Sequence, residues 1–160
     1  MELTQLPFSF PGEVYRSAMP YSSFDPSGAL VQEYKRRDVS LVVMLTSDQE
    51  AQRFTGQELR SIYKTERFEV LYLPIPDFNV PVLDDLDAAV TEVLDNVRAG
   101  DSVAIHCHAG IGRTGMFLAC LAKRGMGYSS DEALRWVRKF IPGAVEVSEQ
   151  EQLVRSLRAD

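Results

Sequence analysis

Cysteine, histidine and tryptophan are scarce in this chain: of 160 residues two are Cys, two are His and one is Trp. Cys107 and Cys120 give no basis for a disulfide framework. With only His106 and His108 beside them they are too few, and wrongly spaced, for a zinc site. Long apolar stretches are missing too. The longest uninterrupted run, Met116 to Ala122, falls far short of the roughly 18 to 20 residues of a membrane span. The opening MELTQLPFSFPG has neither a basic start nor an apolar core, so no signal peptide or membrane anchor is expected and a cytoplasmic location is. Basic residues form no stripe, and 17 Lys+Arg against 23 Asp+Glu leave a net charge of −6. That balance argues against nucleic acid or an anionic membrane as partner. No repeat, low-complexity tract or Pro/Gly/Ser linker divides the chain, so residues 1–160 are expected to be a single domain. A chain of this length should bury roughly 70% of its unfolded surface, enough to fold without disulfides or a structural metal.

Hydrophobic patterning is what the chain does have. Strands are expected at Val14 to Ala18, Val39 to Thr46, Phe68 to Ile75 and Ser102 to Cys107; the second, VSLVVML, is β-branched and apolar on both faces, as in a sheet covered from both sides. Helical patterns run from Ser27 to Arg37, Gln49 to Lys64, Leu83 to Arg98, Gly112 to Arg124, Asp131 to Phe140 and Glu149 to Leu157. Gly100 reads as a stop signal, and Ser129 with Glu132 and Ser148 with Glu151 carry capping-box spacing. The alternation predicts an α/β domain with a central, mostly parallel sheet of four or five strands and helices on both faces. In such sheets ligands bind at the C-terminal ends of the strands.

The last expected strand runs into His106-Cys107-His108-Ala109-Gly110-Ile111-Gly112-Arg113-Thr114-Gly115 and then into a helix. Loop amides and a helix N-terminus aimed at one spot make an anion cradle. The glycines let the loop curl with its N–H groups inward. A sulfur at Cys107 is held as thiolate by these dipoles and by Arg113, six residues on, whose guanidinium can grip two oxygens at once. A nucleophilic thiolate beneath a dianion cradle is what attack on a phosphate monoester requires. The bland alternative, a buried structural cysteine, leaves the arginine, glycines and hydroxyl unexplained.

HCHAGIGRTG resembles the H-C-x-x-G-x-x-R-[ST]-G signature of the cysteine-based protein phosphatases, most closely the small dual-specificity group, and the resemblance spans the chain from YRSAMP to PGAVEVSEQE. Rhodanese-type loops place four residues between Cys and Arg, whereas five stand here. The resemblance implies that Cys107 becomes phosphocysteine and that the backbone N–H groups of His108, Ala109, Gly110, Ile111, Gly112 and Arg113 bind the phosphate, with Arg113 also stabilising transition-state charge. It further implies that Thr114 donates to the sulfur and that His106 positions the loop. A proton-accepting His106 is the rival reading. Neither metal nor organic cofactor is implied.

A general acid should face the thiol across the phosphate. Asp77 lies 30 residues upstream of Cys107, in LPIPDFNVP, a stretch that resembles the acid loop of the same group; its prolines restrict the loop. Asp84, Asp85 and Asp87 compete, but a helix start explains carboxylates there. Gln150, in VSEQEQ, stands near the glutamine that positions water in larger tyrosine phosphatases, although helix surface or capping explains it too. Asp48 and Glu50 can line the cleft or simply begin a helix. Cys120 and Trp136 read as core packing. The loop interior lacks the lysines of lipid phosphatases, which favours phosphotyrosine and phosphoserine/threonine in proteins over inositol phosphates. A non-catalytic phosphate-binding module remains a third reading. A monomer is expected.

Overall fold

A computed structural model describes residues 3–159; Met1, Glu2 and Asp160, at the ends of the expected domain, lie outside the described residues. Five strands form one sheet: β1 (Thr4–Leu6), β2 (Val14–Ser17), β3 (Val39–Met44), β4 (Glu69–Tyr72) and β5 (Ser102–His106). Their order is β1-β2-β5-β3-β4, with β1 antiparallel to β2 and all other pairs parallel. The inner strands are apolar on both faces because helices cover both. Val42 and Met44 face α1 (Ala29–Arg36), α2 (Asp48–Thr55) and α3 (Leu59–Thr65), whose Leu30, Val31, Tyr34, Ala51, Leu59 and Tyr63 fill that layer. Leu41, Val43, Val103 and Ile105 face the opposite layer of α4 (Leu83–Arg98), α5 (Gly112–Met126), α6 (Ser130–Phe140) and α7 (Ser148–Ser156).

Helix α5 is buried along its length from Gly112 to Lys123, as expected of a helix apolar all round. Cys120 lies in this core, where burial pushes its thiol up to about 12, so it stays protonated. At the end of the buried stretch the Lys123 ammonium donates to the carbonyls of Val154, Arg155 and Leu157, tying the C-terminal end of α7 to α5. Trp136 packs against Phe8 and Phe140, confirming a packing role.

The sheet and helix order follow the sequence expectations, with three differences. Strand β1 went unread because three residues before Pro7 carry almost no periodicity. The helix expected from Gln49 to Lys64 is two helices: Gly56 ends α2 at φ 68, its N–H returning to the Gln52 carbonyl. A glycine in the left-handed region is a C-terminal stop. The capping box expected at Ser148 does not form, because Val147 is the N-cap and Ser148 is already the first helical residue; its Oγ turns to Glu149, and Arg138 and Arg155 take the Glu151 carboxylate. The box at Ser129 and Glu132 forms as expected, and Gly100 follows the end of α4.

Candidate active site

Strand β5, central in the sheet, delivers His106 and Cys107 to its C-terminal edge, and residues 107–111 bridge it to the N-terminus of α5. Cys107 is buried, and its sulfur accepts the Gly110 N–H at 3.3 Å. Backbone contacts hold the loop from both neighbouring strands. The Met19 N–H donates to the His108 carbonyl at 2.9 Å, and the Leu45 N–H to the His106 carbonyl at 3.0 Å. Gly110 has φ +78, and a Cβ there would lie 2.4 Å from the Ser17 carbonyl oxygen. The loop therefore passes β2 at a distance only glycine allows.

His106 is fully buried with both ring nitrogens engaged. A carbonyl can only accept, so Nδ1 carries the proton it gives to the Cys107 carbonyl at 2.9 Å, and Nε2 accepts from the Tyr63 hydroxyl at 2.8 Å. Neither nitrogen is left to face the sulfur. Burial, helped by Arg113, pushes His106 down to about 4 from 6.5, so it is neutral at pH 7. The unfolded chain takes up this proton near its ordinary value and the folded chain only near 4. The stability gained from a neutral His106 is thus whole above about pH 6.5 and is lost as pH falls through the interval. Between pH 7 and pH 5 wild type should lose about 2 kcal/mol through this group. Urea unfolding at both pH values, compared with His106→Asn, measures it; equal losses in the two proteins would remove His106 from the account.

Arg113, in the first turn of α5, is almost fully buried. Its Nη1 and Nη2 donate to Glu50 Oε1 and Oε2 at 2.8 Å each, and Nη1 also to the Ile75 carbonyl at 2.7 Å. Asp77 Oδ1 lies 3.5 Å from Nη2. Among the described residues Arg113 Nε and Thr114 Oγ1 are buried without a hydrogen-bond partner. Two orphan polar groups on consecutive residues at the end of an anion loop call for an explanation. With the Nη1/Nη2 edge held by Glu50, the edge left over carries Nε–H and the second Nη2–H, a fork that fits two oxygens of one phosphate.

Asp77 is half-exposed and follows β4 on the same sheet edge; its Oδ1 accepts the Phe78 N–H at 3.0 Å in a turn closed by Asn79 N–H to the Pro76 carbonyl. A cleft of about 430 Å³ opens beside it, lined by Ser47, Gln49, Glu50, Arg53, Phe54 and Asp77. Asp84 and Asp85 lie in the first turn of α4, and Asp87 pairs with Arg124. Gln150 is not on a helix surface: it is buried, its Oε1 accepts the Glu146 N–H at 3.0 Å, and its Nε2 donates to the Asn79 carbonyl at 3.3 Å. That contact fastens the segment after Asp77 to α7. Among the described residues no group of three or more His, Cys, Asp or Glu is gathered to hold a metal ion, and no helix is long and apolar enough to cross a membrane.

Residues 21–126 match the family described as polymorphic toxin system, DSP-PTPase phosphatase. The chain belongs to the DSP-PTPase phosphatases. A crystal structure of Tk-PTP in the active form superposes with a TM-score of 0.78 at 34% identity, covering 91% of each chain. The tyrosine-protein phosphatase cdc-14 of Caenorhabditis elegans is 37% identical over 71 residues, 44% of this chain and 10% of its own length. The human dual specificity protein phosphatase CDC14C is 31% identical over 126 residues, 78% of this chain and 25% of that one. The chain thus spans only a minor part of these two curated relatives.

In this DSP-PTPase phosphatase the sequence leaves Glu50 open between lining the cleft and beginning a helix, and gives no sign of two further groups at the site, Tyr63 and Phe54. Glu50, which looked like an ordinary first-turn acid, holds Arg113; Tyr63 holds His106; and Phe54 stacks on His108 with ring centroids 4.1 Å apart. Tyr63 and Phe54 carry no local signal, since each partner lies more than 40 residues away. For Glu50 one signal existed: a carboxylate just beyond the C-terminal end of a central parallel strand.

Proposed function

We propose that this phosphatase hydrolyses phosphate monoesters on proteins, phosphotyrosine and phosphoserine/threonine, in two steps through Cys107. The observation that carries the proposal is the preset guanidinium of Arg113, locked by Glu50 and Ile75 with its Nε–H unpartnered at the end of the Cys107 loop. The phosphate's oxygens take that fork and the N–H groups of His108 to Arg113. The Cys107 thiolate attacks phosphorus, the P–O ester bond breaks, and the Asp77 carboxyl gives its proton to the departing oxygen. Water then attacks phosphocysteine, Asp77 takes the water's proton, the P–S bond breaks, and inorganic phosphate leaves. Thr114 Oγ1, buried and unpartnered, is the hydroxyl that would support the departing sulfur. Gln150 acts by holding the Asp77 loop through Asn79, which sets it apart from a freely placed water-binding amide.

A single phosphate suits the surroundings. The loop interior carries no lysine, Asp77 flanks the cradle, and the Glu146 carboxylate lies against Gly112, so further phosphates would meet negative charge. Inositol phosphates are therefore the contrasting arm of the substrate panel.

The test is hydrolysis of a phosphotyrosine peptide against pH, with EDTA present. Wild type should turn over, and Asp77→Asn should lose on the order of 10²-fold in kcat together with the basic limb of the profile. An Asp77→Asn enzyme with the wild-type profile would place the acid elsewhere. A wild type that binds phosphopeptides without turnover would make the chain a phosphate reader.

A further inference from the structure

Helix α2 carries two residues, Glu50 and Phe54, that reach opposite ends of the same loop. At spacing i, i+4 they share one helix face. Glu50 holds Arg113, where the loop ends; Phe54 stacks on His108, where it begins, with centroids 4.1 Å apart and planes inclined by 25°. Phe24 also meets the imidazole, edge-on at 5.6 Å, and the His108 carbonyl is held by Met19. Phe54 is 41% exposed, a large apolar ring left in water with the Arg53 guanidinium 5.2 Å from its centre. Core packing does not account for a phenylalanine so placed.

We infer that Phe54 is a positioning residue, which through His108 sets the start of the phosphate loop in the same rigid helix whose Glu50 sets its end. The next residue before His108 is the nucleophile, so a shift of the His108 ring is transmitted to Cys107 and to the first N–H groups of the cradle. An aromatic stack of this kind contributes enough to change an affinity about three- to tenfold. The inference deepens the proposed function, but its main readout does not depend on turnover, because an oxoanion without a leaving group reports the loop alone.

Tungstate is titrated calorimetrically into wild type, Phe54→Ala and Phe54→Tyr at fixed ionic strength. Turnover of an aryl ester, p-nitrophenyl phosphate, and of a phosphoserine peptide is measured alongside. Phe54→Ala should bind tungstate about three- to tenfold more weakly and lose kcat for both esters alike, and Phe54→Tyr, which keeps the stack, should stay within about twofold of wild type. Unchanged tungstate affinity overturns the inference. If only the aryl ester suffers, Phe54 touches the substrate and its positioning role is likewise overturned. Should Phe54→Ala fail to fold, His108→Ala removes the other ring, together with its Phe24 contact, and should weaken tungstate by at least the same factor. Where all variants fold, the double variant should be no weaker than His108→Ala, which already lacks the Phe54 contact; additive losses count against it. An inert wild type that still shows the tungstate pattern would defeat the proposed hydrolysis and leave this inference standing.

Discussion

Cys107→Ser should show no phosphocysteine and at least about a 10⁴-fold loss of kcat, while folding normally and still binding tungstate. The smaller serine hydroxyl still offers the Gly110 N–H an acceptor and overfills nothing in the buried loop, so the loop keeps its shape. What changes is the proposed nucleophile. A serine hydroxyl gives almost no alkoxide at neutral pH, and no base stands ready to make one: His106 is neutral with its nitrogens turned to Tyr63 and to a backbone carbonyl. Rapid acid quenching of wild type with ³²P-labelled peptide should trap one label per chain, and none in the variant. Turnover by Cys107→Ser above about a hundredth of wild type would mean that another group attacks phosphorus.

Arg113→Lys should lose about 10³-fold in kcat/KM, although charge is conserved. The guanidinium does several things at once: two N–H groups meet the Glu50 carboxylate, a third meets Ile75, and a remaining edge is free for phosphate. An ammonium has three donors and no plane. If it satisfies Glu50, whose side chain is only 14% exposed, it has nothing to offer two phosphate oxygens; if it turns to phosphate, Glu50 is left buried and unpaired. Tungstate affinity should therefore fall more than tenfold along with turnover. Glu50→Gln, which keeps two heavy atoms facing the guanidinium, should be milder than Arg113→Lys. A lysine enzyme within tenfold of wild type would show that the fork is not what grips the phosphate.

The fold was legible where periodicity is strong and silent where contacts are distant. The helix Leu83–Arg98 was read to the residue because its apolar stripe is regular and Gly100 stops it. Gly56 was passed over because one glycine within a helical pattern can be tolerated or can terminate, and only its backbone angle decides. At the site, the strand, loop and helix around Cys107 are contiguous in the chain and declare themselves. Glu50 was open to reading from its place just past β3, whereas Tyr63 and Phe54 reach the loop through the packing of α3 and α2 on the sheet, which no local pattern encodes. Ser148 shows the converse: its spacing to Glu151 is right, yet α7 takes Val147 as its N-cap, and Arg138 of α6 and Arg155 of α7 hold the carboxylate.

The span of the contacts made by Arg113 and His106 bears on how the molecule comes into being. Arg113 meets Glu50 across 63 residues and Ile75 across 38, and His106 meets Tyr63 across 43. Contacts between such remote segments close late, after the chain has surrendered most of its freedom. During synthesis, Glu50 and Ile75 wait for Arg113, and Tyr63 for His106, until β5 and the start of α5 emerge and insert between β2 and β3. Cys107 and Arg113 are thus born together, into a sheet whose other strands have already been made and before α6 and α7 exist to cover it.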